Sequence, residues 1–220
     1  MKAVLWRALQ VWGVPVGMGI AYAMLIWSAE TDTTGKAWMT IGYGFVLVIW
    51  FTLSYLMTTA ALARALDVGD AAKLNEVSDR NLRSRRGDAA RAPYLVARAV
   101  ACELTGAHEG ALAALDEAKL DAIPAGKRAP WQLRAASTRI AALVALGRTA
   151  EARAVLEAEL RPGDPHPPHS DAALLASLGA GRVLAAEGKK DAARAKLQSV
   201  IDDVRATGAM RAAAQAALQK

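Results

Sequence analysis

The sequence predicts an all-α protein in which a hairpin of two transmembrane helices is followed by a short α-solenoid. Three observations predict it. Residues 8–29 and 37–63 contain no Asp, Glu, Lys or Arg. The chain beyond them is rich in Ala, Leu, Arg, Glu and Lys, which favour helices, and sparse in the Val, Ile, Phe and Tyr that favour strands. Within that region Gly106, Gly147 and Gly188 recur at intervals of 41 and 41 residues. A slightly positive mean hydropathy of +0.17 despite 22% charged residues fits two unlike parts, dividing near residue 64.

A membrane span needs about 20 mainly apolar residues. Ala8–Ser28 supplies one and Ala37–Ala63 a longer one, joined by the 8-residue connection Ala29–Lys36. Trp27 and Trp38 flank that connection, and Trp6 and Trp12 lie near the far end of the first span, where indole rings prefer the interface. Gly13 and Gly17 have the small-xxx-small spacing of close helix packing. Thr52, Tyr55 and Thr59 share one face of the second span and are placed to bond to the first. No charge lies deep in either span, which argues against an ion pathway.

Lysine and arginine placement sets the expected orientation. Lys2 and Arg7 precede the first span, Lys36 stands beside Glu30 and Asp32 in the connection, and Arg64, Lys73, Arg80, Arg83, Arg85 and Arg86 follow the second. Both termini are therefore expected on the cytoplasmic side of a bacterial-type inner membrane. Lys2, the apolar run and Ala21-Tyr22-Ala23 also have the form of a secretory signal; the second span and the basic stretch behind it argue for retention.

Each of the three glycines is followed at +5 by alanine (Ala111, Ala152, Ala193) and at +9 by leucine (Leu115, Leu156, Leu197). The pattern is that of a helix, a glycine turn and a second helix: the small residue permits close approach and leucine fills the gap. Over Arg91–Ala206 this resembles the tetratricopeptide repeat, in which a glycine ends the first helix and Ala with a large apolar residue marks the second. The first-helix aromatic and Leu-Gly pair of that family are mostly missing, Gly181 alone offering the matching glycine. The surplus over the usual period of about 34 residues falls in two Pro- and Gly-rich segments, Asp121–Pro130 and Arg161–His169, read as loops. Gly69 with Leu74 and Ser78 forms a partial fourth copy, and Met210–Lys220 reads as a capping helix. The expected domains are thus 1–64, a membrane hairpin; 65–90, a basic juxtamembrane helix or linker with the partial repeat; and 91–220, the repeats.

Candidates for chemistry are few. His166 and His169 in a proline-rich segment lack the further ligands of a metal site, and a solvated rigid linker is expected there. Cys102 has no disulfide partner and reads as a small core residue. No catalytic triad ordering, phosphate loop or His-Glu-x-x-His motif is present, so neither catalysis nor a cofactor is expected. Arg80, Arg83, Arg85 and Arg86 suit a topology determinant facing anionic headgroups. Nucleic-acid binding is not expected, because no basic face is interleaved with aromatics.

The repeat resemblance implies that the first helix of each hairpin lines a concave surface, which places Glu103, Arg134, Val144, Leu178 and Arg182 on it. Two arginines there suit an acidic peptide or a C-terminal carboxylate. The function expected is a membrane-anchored scaffold or adaptor binding a protein partner at the cytoplasmic face. The alternative is a small accessory subunit of a larger membrane complex or oligomer, held mainly through the two spans.

Overall fold

A computed structural model describes Gly19, Tyr22, residues 33–160 and residues 171–219. The described residues are helical and contain no strand. Backbone contacts divide the chain into two compact units, Met1–Thr59 and Ala60–Lys220.

The first unit is dominated by the long helix α1, Thr33–Val68, which continues past the unit boundary. Its 36 residues correspond to about 54 Å of rise. Gly35–Leu53 is long and apolar enough to cross a membrane, and none of its described side chains is buried. Trp38, Phe45, Val48, Phe51 and Met57 all project outward. Among the described residues this is one such helix and not two, because the first expected span lies outside them except for Gly19 and Tyr22. Those two residues pack on α1. The Tyr22 hydroxyl donates to Thr40 Oγ1 at 2.6 Å, its ring stacks on Tyr43 at 4.7 Å between centroids, and a Cβ on Gly19 would stand 2.9 Å from the Tyr43 hydroxyl. Gly13 and Gly17 lie outside the described residues, as does the side chain of Tyr55. Thr52 donates to the Val48 carbonyl and Thr59 to the Leu56 carbonyl of their own helix. The helix starts at Thr33, so the connection read as Ala29–Lys36 is already helical in its second half.

The second unit begins inside α1. Leu62, Ala65 and Leu66 are buried with Leu74 and Val77 of α2 (Ala71–Ser84) and with Tyr94, Ala97, Val100 and Ala101 of α3 (Asp88–Leu104). The division of backbone contacts after Thr59 therefore lies within α1. Within the segment read as a basic helix or linker, residues 71–84 form a packed helix. The chain continues through α4 (His108–Glu117), a 3-10 turn at Leu120–Ala122 and α5 (Ala125–Ala145). Next come α6 (Thr149–Val155) with a π turn at Leu156–Leu160, then α7 (Ala172–Ala186), α8 (Lys190–Asp202) and α9 (Gly208–Leu218). From α2 onward, helices adjacent in sequence pack on one another. In addition α3 contacts α5, α5 contacts α7, and α9 contacts α7 and α3 as well as α8.

Four turns share one geometry. Gly69, Gly106, Gly147 and Gly188 have φ of 75°, 77°, 76° and 78°, the left-handed region that glycine enters without penalty. At the last three, the residue after glycine donates back across the turn: Ala107 to Cys102 O, Arg148 to Leu143 O and Lys189 to Leu184 O, at 2.8, 2.8 and 2.9 Å. This satisfies carbonyls left open at the helix ends. The +5 residues Leu74, Ala111, Ala152 and Ala193 and the +9 residues Ser78, Leu115, Leu156 and Leu197 are all buried. The partial copy at Gly69 thus has the turn and the buried positions of the other three.

Ser78 occupies the slot that leucine fills elsewhere, fully buried, and its Oγ lacks a hydrogen-bond partner. Ser78→Ala is expected to stabilise the unit by about 1 kcal/mol, read as a higher melting temperature, because it removes a desolvated hydroxyl. The helices α7 and α8 approach closely at Gly181, where a Cβ would lie 2.7 Å from Leu197 Cγ. Gly181→Ala is expected to cost about 1–3 kcal/mol through overpacking. Gly126→Ala, whose Cβ meets nothing within 4 Å, is the control that should not destabilise.

The segment Asp121–Pro130, expected as a loop, is mostly the beginning of α5. Pro130 is the sixth helical residue and exposed, so it withholds one backbone hydrogen bond near the helix start while the buried face from Ala135 to Leu143 holds the helix in place. Arg161–His169, including His166, lies outside the described residues.

Candidate partner-binding surface

The helices α3, α5 and α7 carry the residues that the repeat resemblance assigns to a groove. Glu103 stands near the end of α3, Arg134 and Val144 on α5, and Leu178 and Arg182 on α7. Four of the five come together. Arg182 NH2 donates to Glu103 Oε1, and its NH1 lies 3.4 Å from the Ser137 carbonyl. The two side chains are 7% and 10% exposed, so this ion pair is buried. Arg134 bonds Asp171 Oδ2 at 3.1 Å. Its burial pushes the guanidinium below its usual pKa, against the pull of Asp171 and Glu103. Leu178 is in an apolar cluster with Leu175, Leu197 and Met210. Val144 is not part of this group and packs at the edge of the neighbouring cluster around Ile140 and Leu156.

The arginines therefore already have carboxylate partners within the chain, and the surface is covered. Ala209, Met210 and Ala213 of α9 lie over Val100, Glu103, Leu104, Arg134, Leu175 and Leu178, leaving a gap of about 20 Å³. By that measure a water needs about 10–15 Å³, so the gap has room for about one. Comparison with protein-family models, curated proteins and solved structures returns no match.

The link into α9 is ordered by charge. Asp203 accepts from the Arg205 backbone N–H at 2.8 Å and from its guanidinium at 2.9 and 2.6 Å, which holds the carboxyl at a pKa of about 2. Arg211 donates to the Asp203 and Val204 carbonyls, and the Thr207 hydroxyl caps α9 by accepting from the Met210 N–H.

The basic stretch is partly engaged. Arg80 pairs with Glu76 at 2.6 Å, Arg83 donates to the Asp79 carbonyl, and Arg85 reaches Asn81 and lies over the Tyr94 ring at 5.0 Å. Arg86 is exposed. Cys102 is half-buried against the cluster around Ala99 and Ala111, and burial pushes its thiol up.

A second concavity of about 770 Å³ lies between α4, the 3-10 turn and α5. Two cations on its wall are already paired, Lys119 with Asp88 and Arg139 with Asp116, both at 3.0 Å.

Two residues that the repeat pattern did not single out align these hairpins. Arg91-Ala92-Pro93-Tyr94 and Arg128-Ala129-Pro130-Trp131 are near-identical tetrapeptides, each with proline as the sixth residue of its helix. Tyr94 is buried in the first apolar cluster, and Trp131 packs against both the first and the second. The repeated Arg-Ala-Pro-aromatic string was the available signal. It is offset from the glycine period because α5 is longer than α3.

Proposed function

We propose that this chain is a membrane-anchored scaffold or adaptor of the inner membrane. In this reading the apolar N-terminal helices hold a TPR-like α-solenoid at the cytoplasmic face, where it binds a protein partner. The observation that carries the reading is the division of labour along α1. Its stretch Gly35–Leu53 presents Trp38, Phe45 and Phe51 outward, whereas its last turns bury Leu62, Ala65 and Leu66 among the hairpin helices. Such a helix serves as anchor and as first element of the array, which raises the partner's effective concentration at the membrane. The serial packing of α3, α5 and α7, each with a second helix behind it, supports the solenoid reading. The polar side chains on the surface pair with one another in ion pairs rather than converging on a reaction centre, which supports binding over catalysis. Arg86 and its basic neighbours suit anionic headgroups beside the anchor.

The exposed aromatics of α1 favour a second reading, an accessory subunit whose contacts are made by the anchor. Photo-crosslinking in the intact chain separates the two. A photoreactive residue in place of exposed Arg98 on α3, or in place of Phe45 on α1, reports which surface meets protein. Adducts from position 98 to a cytosolic partner are expected; adducts from position 45 alone would transfer the function to the accessory subunit. A soluble fragment for partner capture should begin at Ala60, because a cut at residue 88 removes Leu62, Leu66, Leu74 and Val77 from the first core cluster.

A further inference from the structure

We propose that α9 is an exchangeable occupant of the surface made by α3, α5 and α7, and that this surface receives a small-residue helix of the protein partner when α9 leaves. The inference rests on the partner-binding reading and names the ligand class of that surface.

Three observations support it. First, α9 does more than cap the last hairpin. Ala213 and Ala214 pack with Leu174, Leu175 and Val200, while Ala209 belongs to the cluster of Leu62, Leu66 and Tyr94 at the opposite end of the array. The helix thus crosses the row of first helices. Second, its contacts depend on small residues. A Cβ on Gly208 would stand 2.1 Å from the Asp67 carbonyl oxygen, and one on Gly69 would stand 2.8 Å from the Ala209 nitrogen. Its buried face is Ala209, Met210, Ala213 and Ala214, so three of four anchors bury little apolar area. Eleven residues are also too few for a stable isolated helix. Third, the floor under α9 is satisfied without it. Glu103 pairs with Arg182 and Arg134 with Asp171, and none of these four side chains bonds α9. Removing the helix uncovers a surface with its ion pairs already made, bordered by Val100, Leu104, Leu175 and Leu178. A helix presenting alanine or glycine at the α9 positions fits that floor; one with a charge on that face does not.

The test uses the full chain in detergent micelles, folded before any cut is made. A specific protease site is inserted after Val204, which is 90% exposed, so that Ala206 and the Thr207 cap stay in place, and a fluorescent synthetic peptide of residues 206–220 is the probe. Little uptake is expected before cleavage, and at least about tenfold more after cleavage, because the competent surface is then released from its intramolecular competitor. Gly208→Val in an uncut chain is expected to raise uptake as cleavage does. Equal uptake before and after cleavage would overturn the proposal. So would a cut fragment that stays bound without exchanging, or a loss of helical signal on cleavage larger than the 11 residues of α9 account for, since α9 would then be a permanent part of the core. Dimerisation of the Gly208→Val chain without probe uptake would assign the surface to α9 of a second copy and overturn the partner assignment. None of these readouts uses the cellular partner, so a negative crosslinking result and a negative exchange result fail separately.

Discussion

Glu103→Leu is expected to destabilise the helical array by about 3–5 kcal/mol, because it leaves the Arg182 guanidinium buried without its carboxylate. The Ser137 carbonyl at 3.4 Å is a poor substitute for a charge. Arg134 is also affected, since Glu103 is one of the two carboxylates that offset the burial of its cation. For a unit of this size the loss corresponds to a fall in melting temperature of about 6–20 °C. The double variant Glu103→Leu with Arg182→Met should recover most of it, because two apolar side chains of similar volume leave no buried charge behind. A single variant that melts like the parent would show that the pair is solvated. A double variant no more stable than the single would show that packing, not charge, is what Glu103 supplies.

The second large effect is expected at Gly208. A valine there cannot keep α9 in place, since even a methyl group would overlap the Asp67 carbonyl oxygen at 2.1 Å and the Val68 carbonyl carbon at 2.7 Å. These are backbone atoms of α1 and cannot rotate aside, so the helix must shift or undock. The expected result is loss of amide-exchange protection across Gly208–Leu218. Protection in α4 and α5 should persist, because their cluster around Leu95, Ala111 and Leu115 contains no residue of α9. Uniform loss of protection through the whole unit would show that α9 and the first hairpins unfold together.

How much of this was legible in the sequence depended on the range of the interaction. The glycine turns were legible because a left-handed φ leaves a residue-type signature, and the alanines and leucines after them mark a helix face by spacing alone. The apolar run of α1 was legible for the same reason. Helix α5 was misread at its start because Pro124, Gly126 and Pro130 carry local turn signals, overruled by the packing of half-buried Trp131 against the first two clusters and the burial of Ala135 and Ala136 in the second and third. The partners of the groove arginines were not legible. Glu103 and Arg182 are 79 residues apart, and periodicity reports which face a residue occupies, not what lies opposite. The path of α9 is hidden likewise: the string Gly208-Ala209-Met210 shows small residues, but nothing local says that they meet Asp67 and Gly69.

Whether the anchored array stands on the cytoplasmic side is decided by topology. Reporters fused after Asp32 and after Lys220 each record whether the junction is cytoplasmic or external. An external reporter at Asp32 and a cytoplasmic one at Lys220 are expected. An external reporter at Lys220 would contradict this and place the array on the other side of the membrane, away from any cytosolic partner.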